Sequence, residues 1–526
     1  MDESTRQQIT WTIIIAVVIS LIVLGLHRRA EVDNLMATVA NGSAAQRVVA
    51  VETLIAKQKL AEAMEDRPRW VQVNAVQAAT IVGSEQALFQ LIATKVYLDA
   101  PVAAAVDAYL ISMGETAIGP LVQAVQDKDA GVRGGAGGPL KAIGASTVAS
   151  LMPLIDVYDD AVRGLASSTL AGIGEPAVKP LMRIMKQMRP LFDQEPAAFR
   201  RAKSAAQSAF VGMGVTAFDP VIEHIFTDDN PEVRSAGATI LGSITNQTKI
   251  GAMVAEDASQ VVQPLVDLVA NDPAWTVRRR AAASLGLLTE VARDNNAAPT
   301  LIAALGDERP EVRAAVAKAL GEVRAPEAAA PLANTLMTNR TGATSEIATA
   351  LAKIGAPSIA PLTPALNHHD AEVRLVATQT IATIGTGAAV VPLGRALGDS
   401  DVKIRRAAAD ALRSLATATV LPQLATALAD DDWRVYYAAR DALARVGEPA
   451  VDTLVNALSH PNTRVAYMAE QALATIGKPS IAALINGLSS ASPQAVEWSA
   501  IALGDIGHDA VRAAAQLLDN SSADIS

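Results

Sequence analysis

Beyond Glu31 the apolar positions of this chain recur in two nested rhythms, a helical one inside a longer one. In AEVRLVATQTIATIG, Val373, Ala377, Ile381 and Ile384 stand twelve, eight, four and one before Gly385, a spacing that lays them on one stripe of an α-helix. The position eight back is small in copy after copy (Ala166, Ala206, Ala281, Ala377, Ala408, Ala439, Ala469), which lets neighbouring helices approach closely. The longer rhythm closes on Gly83, Gly114, Gly144, Gly174, Gly214, Gly355, Gly385, Gly447, Gly477 and Gly507. Thr245, Thr289, Arg324 and Ala416 take the glycine's place in weaker copies, and most steps are 30 or 31 residues. Each unit reads as an apolar helix A, an acidic turn and a helix B, with the glycine accepting a left-handed conformation at the end of B. In GEPAV at Gly174 and Gly447, proline sits where a first-turn amide needs no partner, and glutamate sits where the helix dipole favours negative charge. One unit cannot bury its stripe alone. The pattern therefore predicts an all-α fold, an α-solenoid of about fifteen helix pairs over residues 31–520 with a polar tail at 521–526. At roughly 10 Å per helix layer such a stack extends on the order of 150 Å.

A different pattern precedes it. After a tail at 1–8, Ile9 to Leu26 (ITWTIIIAVVISLIVLGL) runs uncharged for 18 residues, about 27 Å as a helix and close to the hydrocarbon thickness of a bilayer. A start of MDESTR and an end of Gly25-Leu26-His27-Arg28-Arg29 predict an uncleaved N-terminal transmembrane helix and not a signal peptide. Arg28 and Arg29 follow the span while Asp2 and Glu3 outnumber Arg6 before it, which places the solenoid on the cytoplasmic side, an extracytoplasmic placement being the alternative. No Gly/Ser or Pro-rich linker separates span from repeats, so the array leaves the membrane semi-rigidly.

Composition narrows the function. Half of the residues are hydrophobic but only 3% aromatic, which suits thin layers between closely packed helices. A net charge of -10 disfavours nucleic acid, whose binding rests on Lys and Arg. With no cysteine, disulfides, thiolate metal sites and a cysteine nucleophile are excluded. No GxSxG turn, HExxH pair or phosphate loop occurs; no enzyme activity, cofactor, metal or small-molecule substrate is expected. The turn residues Asp430, Asp431 and Asp432 read as helix caps, and the adjacent His368 and His369 as a solvated turn.

An acidic turn residue stands six before an arginine in several copies: Asp127 and Arg133, Asp228 and Arg234, Asp272 and Arg278, Asp307 and Arg313, Asp399 and Arg405. This resembles the Asp and Arg ladder of HEAT repeats, and the short period with its GxPAVxPL phrase is similar to the HEAT-like repeats of phycobilin lyases. The resemblance implies stacked antiparallel helix pairs with B helices on the concave face, and roles in scaffolding, partner binding or assembly. The arginine column is lost at Tyr436, Ala466 and Val496, so the last three repeats are expected to be joined by packing more than by that network.

Two features stand out as candidate partner sites. Trp433, Tyr436, Tyr437, Tyr467 and Trp498 concentrate in the last three B helices of a ring-poor chain; Tyr437 and Tyr467 lie ten before their glycines, about 200° from the buried position at twelve, and should face outward. End-cap packing is the other account of these rings. Gly134, Gly135, Gly137 and Gly138 fall inside one B helix, predicting either a close approach by a backbone, lipid or partner helix, or local fraying. The expected function is a membrane-anchored scaffold binding protein partners, as a subunit or assembly factor of a membrane complex. The enzyme-class rival, implied by the repeat type alone, is a lyase or chaperone attaching pigment to a partner's cysteine.

Overall fold

The computed structural model describes residues 29–186, 196–247, 255–338 and 342–513. The expected anchor at 9–26 and the tails at 1–8 and 521–526 lie outside them. Every regular element among the described residues is helical, and the helices pair into fifteen A/B repeats, with odd labels for A helices and even for B; a short helix at Glu290–Asp294 and helical residues 508–513 stand outside the pairs.

The chain forms two compact units, divided at Thr248 and Lys249. The first holds seven repeats: α1 (29–41) and α2 (Ala44–Ala56); α3 (Leu60–Ala63) and α4 (Arg69–Val82); α5 (Glu85–Thr94) and α6 (Ala100–Ser112); α7 (Ile118–Val125) and α8 (Ala130–Ile143); α9 (Val148–Leu151) and α10 (Asp160–Ile173); α11 (Glu175–Lys186) and α12 (Pro196–Met213); α13 (Phe218–Pro220) and α14 (Pro231–Gln247). The second holds eight: α15 (Ala255–Asn271) and α16 (Trp275–Leu287); α17 (Ala298–Ala304) and α18 (Pro310–Val323); α19 (Ala329–Met337) and α20 (Thr344–Ile354); α21 (Ile359–Leu362) and α22 (Ala371–Ile384); α23 (Val390–Ala396) and α24 (Val402–Leu415); α25 (Leu421–Ala427) and α26 (Trp433–Val446); α27 (Val451–Ala457) and α28 (Thr463–Ile476); α29 (Ile481–Gly487) and α30 (Pro493–Ile506). Within each unit, B helices pack on the B helices of neighbouring repeats and A helices on A helices, the layering of a solenoid.

The stripe is buried as its spacing demands. All seven alanines eight before the closing position have no exposed surface, and Val373 and Ile381 are buried beside Ala377, while Ile384 is half-buried at the helix end. All ten closing glycines have positive φ. Only Gly83 and Gly385 are shown in the expected left-handed helical region. Gly144, Gly174, Gly355, Gly447, Gly477 and Gly507 combine φ between 72° and 84° with ψ between -128° and -139°. The reason is a double duty: Gly447 both ends α26 and caps the 3-10 turn Glu448–Ala450 that opens the next A helix, so the backbone must be extended as well as left-handed. At Gly385 the next residue, Thr386, is the cap, and the glycine stays left-handed helical.

Among the described residues one stretch, Ala130–Ile155, has the length and hydropathy (1.2) of a membrane span. It is not one helix: it comprises α8, a turn through Gly144 at φ 81°, and the A helix of the following repeat.

Candidate protein-docking face

The acidic turns fix where each B helix starts. Asp307, Asp399 and Asp430 accept hydrogen bonds from the amides two residues on (2.9, 2.8 and 2.9 Å), and Asp129, Asp370, Asp401 and Asp432 are N-caps. His368 takes the aspartate's place in one turn, its Nδ1 accepting from the Asp370 amide at 3.1 Å. The arginine six residues later turns one edge to the main chain of that turn. Arg278 Nη1 donates to the main-chain carbonyls of Asp272 (2.9 Å) and Pro273 (3.2 Å), and Arg133, Arg163, Arg234, Arg313, Arg374 and Arg405 do the same in their turns. Its other edge reaches the next repeat. Nε and Nη2 of Arg278 donate to the carboxylate of Asp307 at 2.7 and 3.1 Å, as Arg374 does to Asp399 (2.7 and 3.0 Å) and Arg405 to Asp430 (2.7 and 3.1 Å). Burial alone would raise the carboxyls of Asp307 and Asp399, but the hydrogen bonds from Arg278 and Arg374 win and hold both below the usual range.

Where the column breaks, the Asp–Arg rungs are replaced by other side chains that add hydrogen bonds to the packing. With Tyr436 in place of the arginine, the carbonyls of Ala429 and Asp430 are taken by Arg464 Nη2 of the next repeat (3.1 and 2.8 Å). The guanidinium lies 4.7 Å from the centre of the Tyr436 ring. One repeat on, Ala466 fills the column and Gln494 Nε2 donates to the carbonyl of His460 at 2.9 Å. Arg464 and Gln494 both stand thirteen before their glycines, close enough to the vacated position for a long side chain to reach back.

The five rings divide between two roles. Tyr436 and Trp498 are half-buried and belong to the packing between repeats. Trp433, Tyr437 and Tyr467 are 57%, 37% and 40% exposed, the two tyrosines on the outward side that their spacing predicts. They form one connected face over α26, α28 and α30: Trp433 meets Tyr437 edge-on at 6.3 Å, Tyr436 and Tyr437 are 4.9 Å apart, and Tyr467 and Trp498 are 5.9 Å apart. Arg440 joins the two halves, its guanidinium 4.8 Å from the Tyr437 ring and its Nη1 donating to Gln471 (2.9 Å), whose Nε2 donates to the Tyr467 hydroxyl (2.5 Å). These contacts hold the rings in place before any partner arrives, which lowers the entropic cost of binding.

The glycine run answers differently. α8 is helical throughout Ala130–Ile143, so the stretch does not fray in this structure. Around Gly134 and Gly138 there is open space within 4 Å. Gly135 is the informative member, because Pro139 lies four residues on and has no amide to offer its carbonyl. Lys95 Nζ donates to that carbonyl at 2.6 Å while also pairing with Asp107, and its stem lies in ordinary van der Waals range of where a Gly135 side chain would begin. The close approach is thus made by a lysine of the preceding repeat. Outward, Gly134 and Gly138 continue into Gly164, Ser168, Ser204 and Ser208 at the same two offsets from their glycines, and the last four of these line an open groove of about 420 Å³.

HEAT repeats match over residues 262–352, 343–413, 390–474 and 451–525, together half of the chain. No curated protein matches it. Solved structures that align with it include Kap95p described with RanGDP (15% identity, TM-score 0.40, 91% of this chain and 77% of the other) and yeast importin-β, Kap95p (14%, 0.37, 91% and 77%). The complex of CpcE and CpcF of phycocyanin lyase from Nostoc aligns at 19% identity and a TM-score of 0.25, over 48% of this chain and 94% of the other. The repeat match carries the assignment: the chain belongs to the HEAT-repeat family.

Proposed function

We propose that this protein is a membrane-anchored scaffold that docks a protein partner on the aromatic face of α26, α28 and α30. The carrying observation is that Trp433, Tyr437 and Tyr467 stay exposed on neighbouring helices as one connected group, with Tyr437 and Tyr467 braced by Arg440 and Gln471, in a chain only 3% aromatic. Preorganised aromatic and arginine side chains are the groups that dominate binding energy at protein interfaces. The apolar run at 9–26 supplies the anchor, with the repeats on the cytoplasmic side, and subunits of a membrane complex are the partners such a tether favours. The role is binding and not chemistry: purified protein should hold no pigment, and stoichiometric pigment binding would favour the lyase alternative.

Tyr437→Ala with Tyr467→Ala tests the face. Truncating such anchors should weaken association by about 2 kcal/mol or more, while the rings' exposure limits the stability loss to about 1–2 kcal/mol in total. A double variant that melts well below the parent yet co-purifies with the same membrane complex would instead assign the rings to end-cap packing.

A further inference from the structure

Column seven before the closing glycine is small and neutral in most repeats and faces the next repeat. It holds Gly137, Ser167, Thr378 and Ala409, all buried, and a methyl at Gly137 would sit 3.1 Å from Leu165 of α10. In repeat 14 the same column holds Glu470. Its side chain is 1% exposed, and its Oε1 is enclosed without a hydrogen-bond partner. Next to it stands a second acid, Asp505 of α30, which is exposed.

We propose that repeat 15 is a proton-gated flap: Glu470 on α28 and Asp505 on α30 clasp the two helices while they share a proton, and drive them apart once both are charged. A neutral Glu470 carboxyl can donate its proton to the Asp505 carboxylate; an ionised one has no donor to offer, places a charge in an apolar layer and repels its neighbour. The proton goes to solvent when the clasp opens. Other charged groups on the packed elements do not compensate. On α26, Arg440 and Asp441 are bonded to each other, with Arg440 also held by Gln471. Asp452 of α27 and Lys478 before α29 are exposed, α29 itself carries no charge, and on α30 Glu497 points to solvent. Asp505 is the charge that acts on Glu470. Burial and the Asp505 charge push the Glu470 carboxyl up to about 7 from its ordinary 4.5. A raised acid favours the closed flap below 4.5, loses that advantage progressively as pH rises, and has lost all of it above about 7. Opening also parts Tyr467 from Trp498, whose rings bridge the same two helices.

Hydrogen exchange of the full chain, corrected for intrinsic rates, reads this without any partner and so tests the flap separately from the docking role. Between about pH 5.5 and about pH 8, amide protection over α30 should fall roughly tenfold or more, while Glu470→Gln should keep α30 protected and pH-independent. Asp505→Asn, at an exposed position that leaves the fold intact, should shrink the pH dependence. Equal protection of α30 at both pH values in the parent chain, a dependence that survives Glu470→Gln, or one that Asp505→Asn leaves undiminished, would overturn the proposal.

Discussion

Repeats 8 to 12 and repeats 13 to 15 solve the same problem in different ways. In the former, Arg278, Arg374 and Arg405 each spend one edge on their own turn and the other on the next repeat's aspartate, with both partners largely buried. In the latter the column is given to Tyr436, Ala466 and Val496, and the turn carbonyls are capped from behind by Arg464 and Gln494. The comparison shows that when the arginine position is vacated at Tyr436 and Ala466, the carbonyl six residues back is still taken, by Arg464 and Gln494 of the next repeat, and that the helices of this region carry exposed rings.

The pH dependence offers the broadest way to break this contrast. Asp307 and Asp399 have depressed carboxyls, so the stability their rungs supply is present above the ordinary 3.8 and is lost as pH falls below it. Protection of α16, α18, α22 and α24 should therefore decline as pH is lowered below 3.8, the opposite sense from the flap of repeat 15. A common response along both regions would erase the distinction.

Single rungs come next. Arg278→Ala strips a buried carboxylate of its partner and should cost about 3 kcal/mol locally. Arg464→Ala removes two charge-assisted hydrogen bonds and a ring contact and should cost about 2 kcal/mol. Protection of α18 and of α26 reports each locally, and equal losses would mean that the replacement cap is as strong as the rung it replaces.

The smallest effect concerns the outward face. Gly134→Ala and Gly138→Ala point into open space and should each stabilise α8 by about 0.8–1.0 kcal/mol, measured by thermal melting. Gly137→Ala, whose new methyl would lie 3.1 Å from Leu165, should gain less or lose. Equal gains at all three positions would show that the layer at Gly137 yields freely.

Much of this was legible before any coordinates. The glycine period counts the repeats, and column ten picks out Tyr437 and Tyr467 as outward. The Asp and Arg columns locate the ladder, but the sequence does not show which aspartate each guanidinium reaches or that each has two usable edges. The true carboxylate partners lie 25 to 29 residues on, a separation set by stacking. Pro139 is the overlooked signal at the glycine run: a proline four residues after Gly135 announces an orphan carbonyl, though not that Lys95 fills it. Glu470 is likewise visible as a carboxylate in a column that is small and neutral in most repeats, shared with Asp107 and the cation Arg440, while the presence of Asp505 beside it depends on how α30 lies against α28.

Site-specific photo-crosslinking in membranes tests the docking claim most directly. A crosslinker placed at Tyr437, at Tyr467 and, as control, at exposed Ser345 samples the same column ten before the glycine in three repeats. The account predicts that positions 437 and 467 capture one and the same protein, in an adduct competed away by an excess of unmodified protein but not of the Tyr437→Ala, Tyr467→Ala variant, while position 345 captures none. Equal capture at all three positions, or competition by the double variant as effective as by the parent, would contradict it.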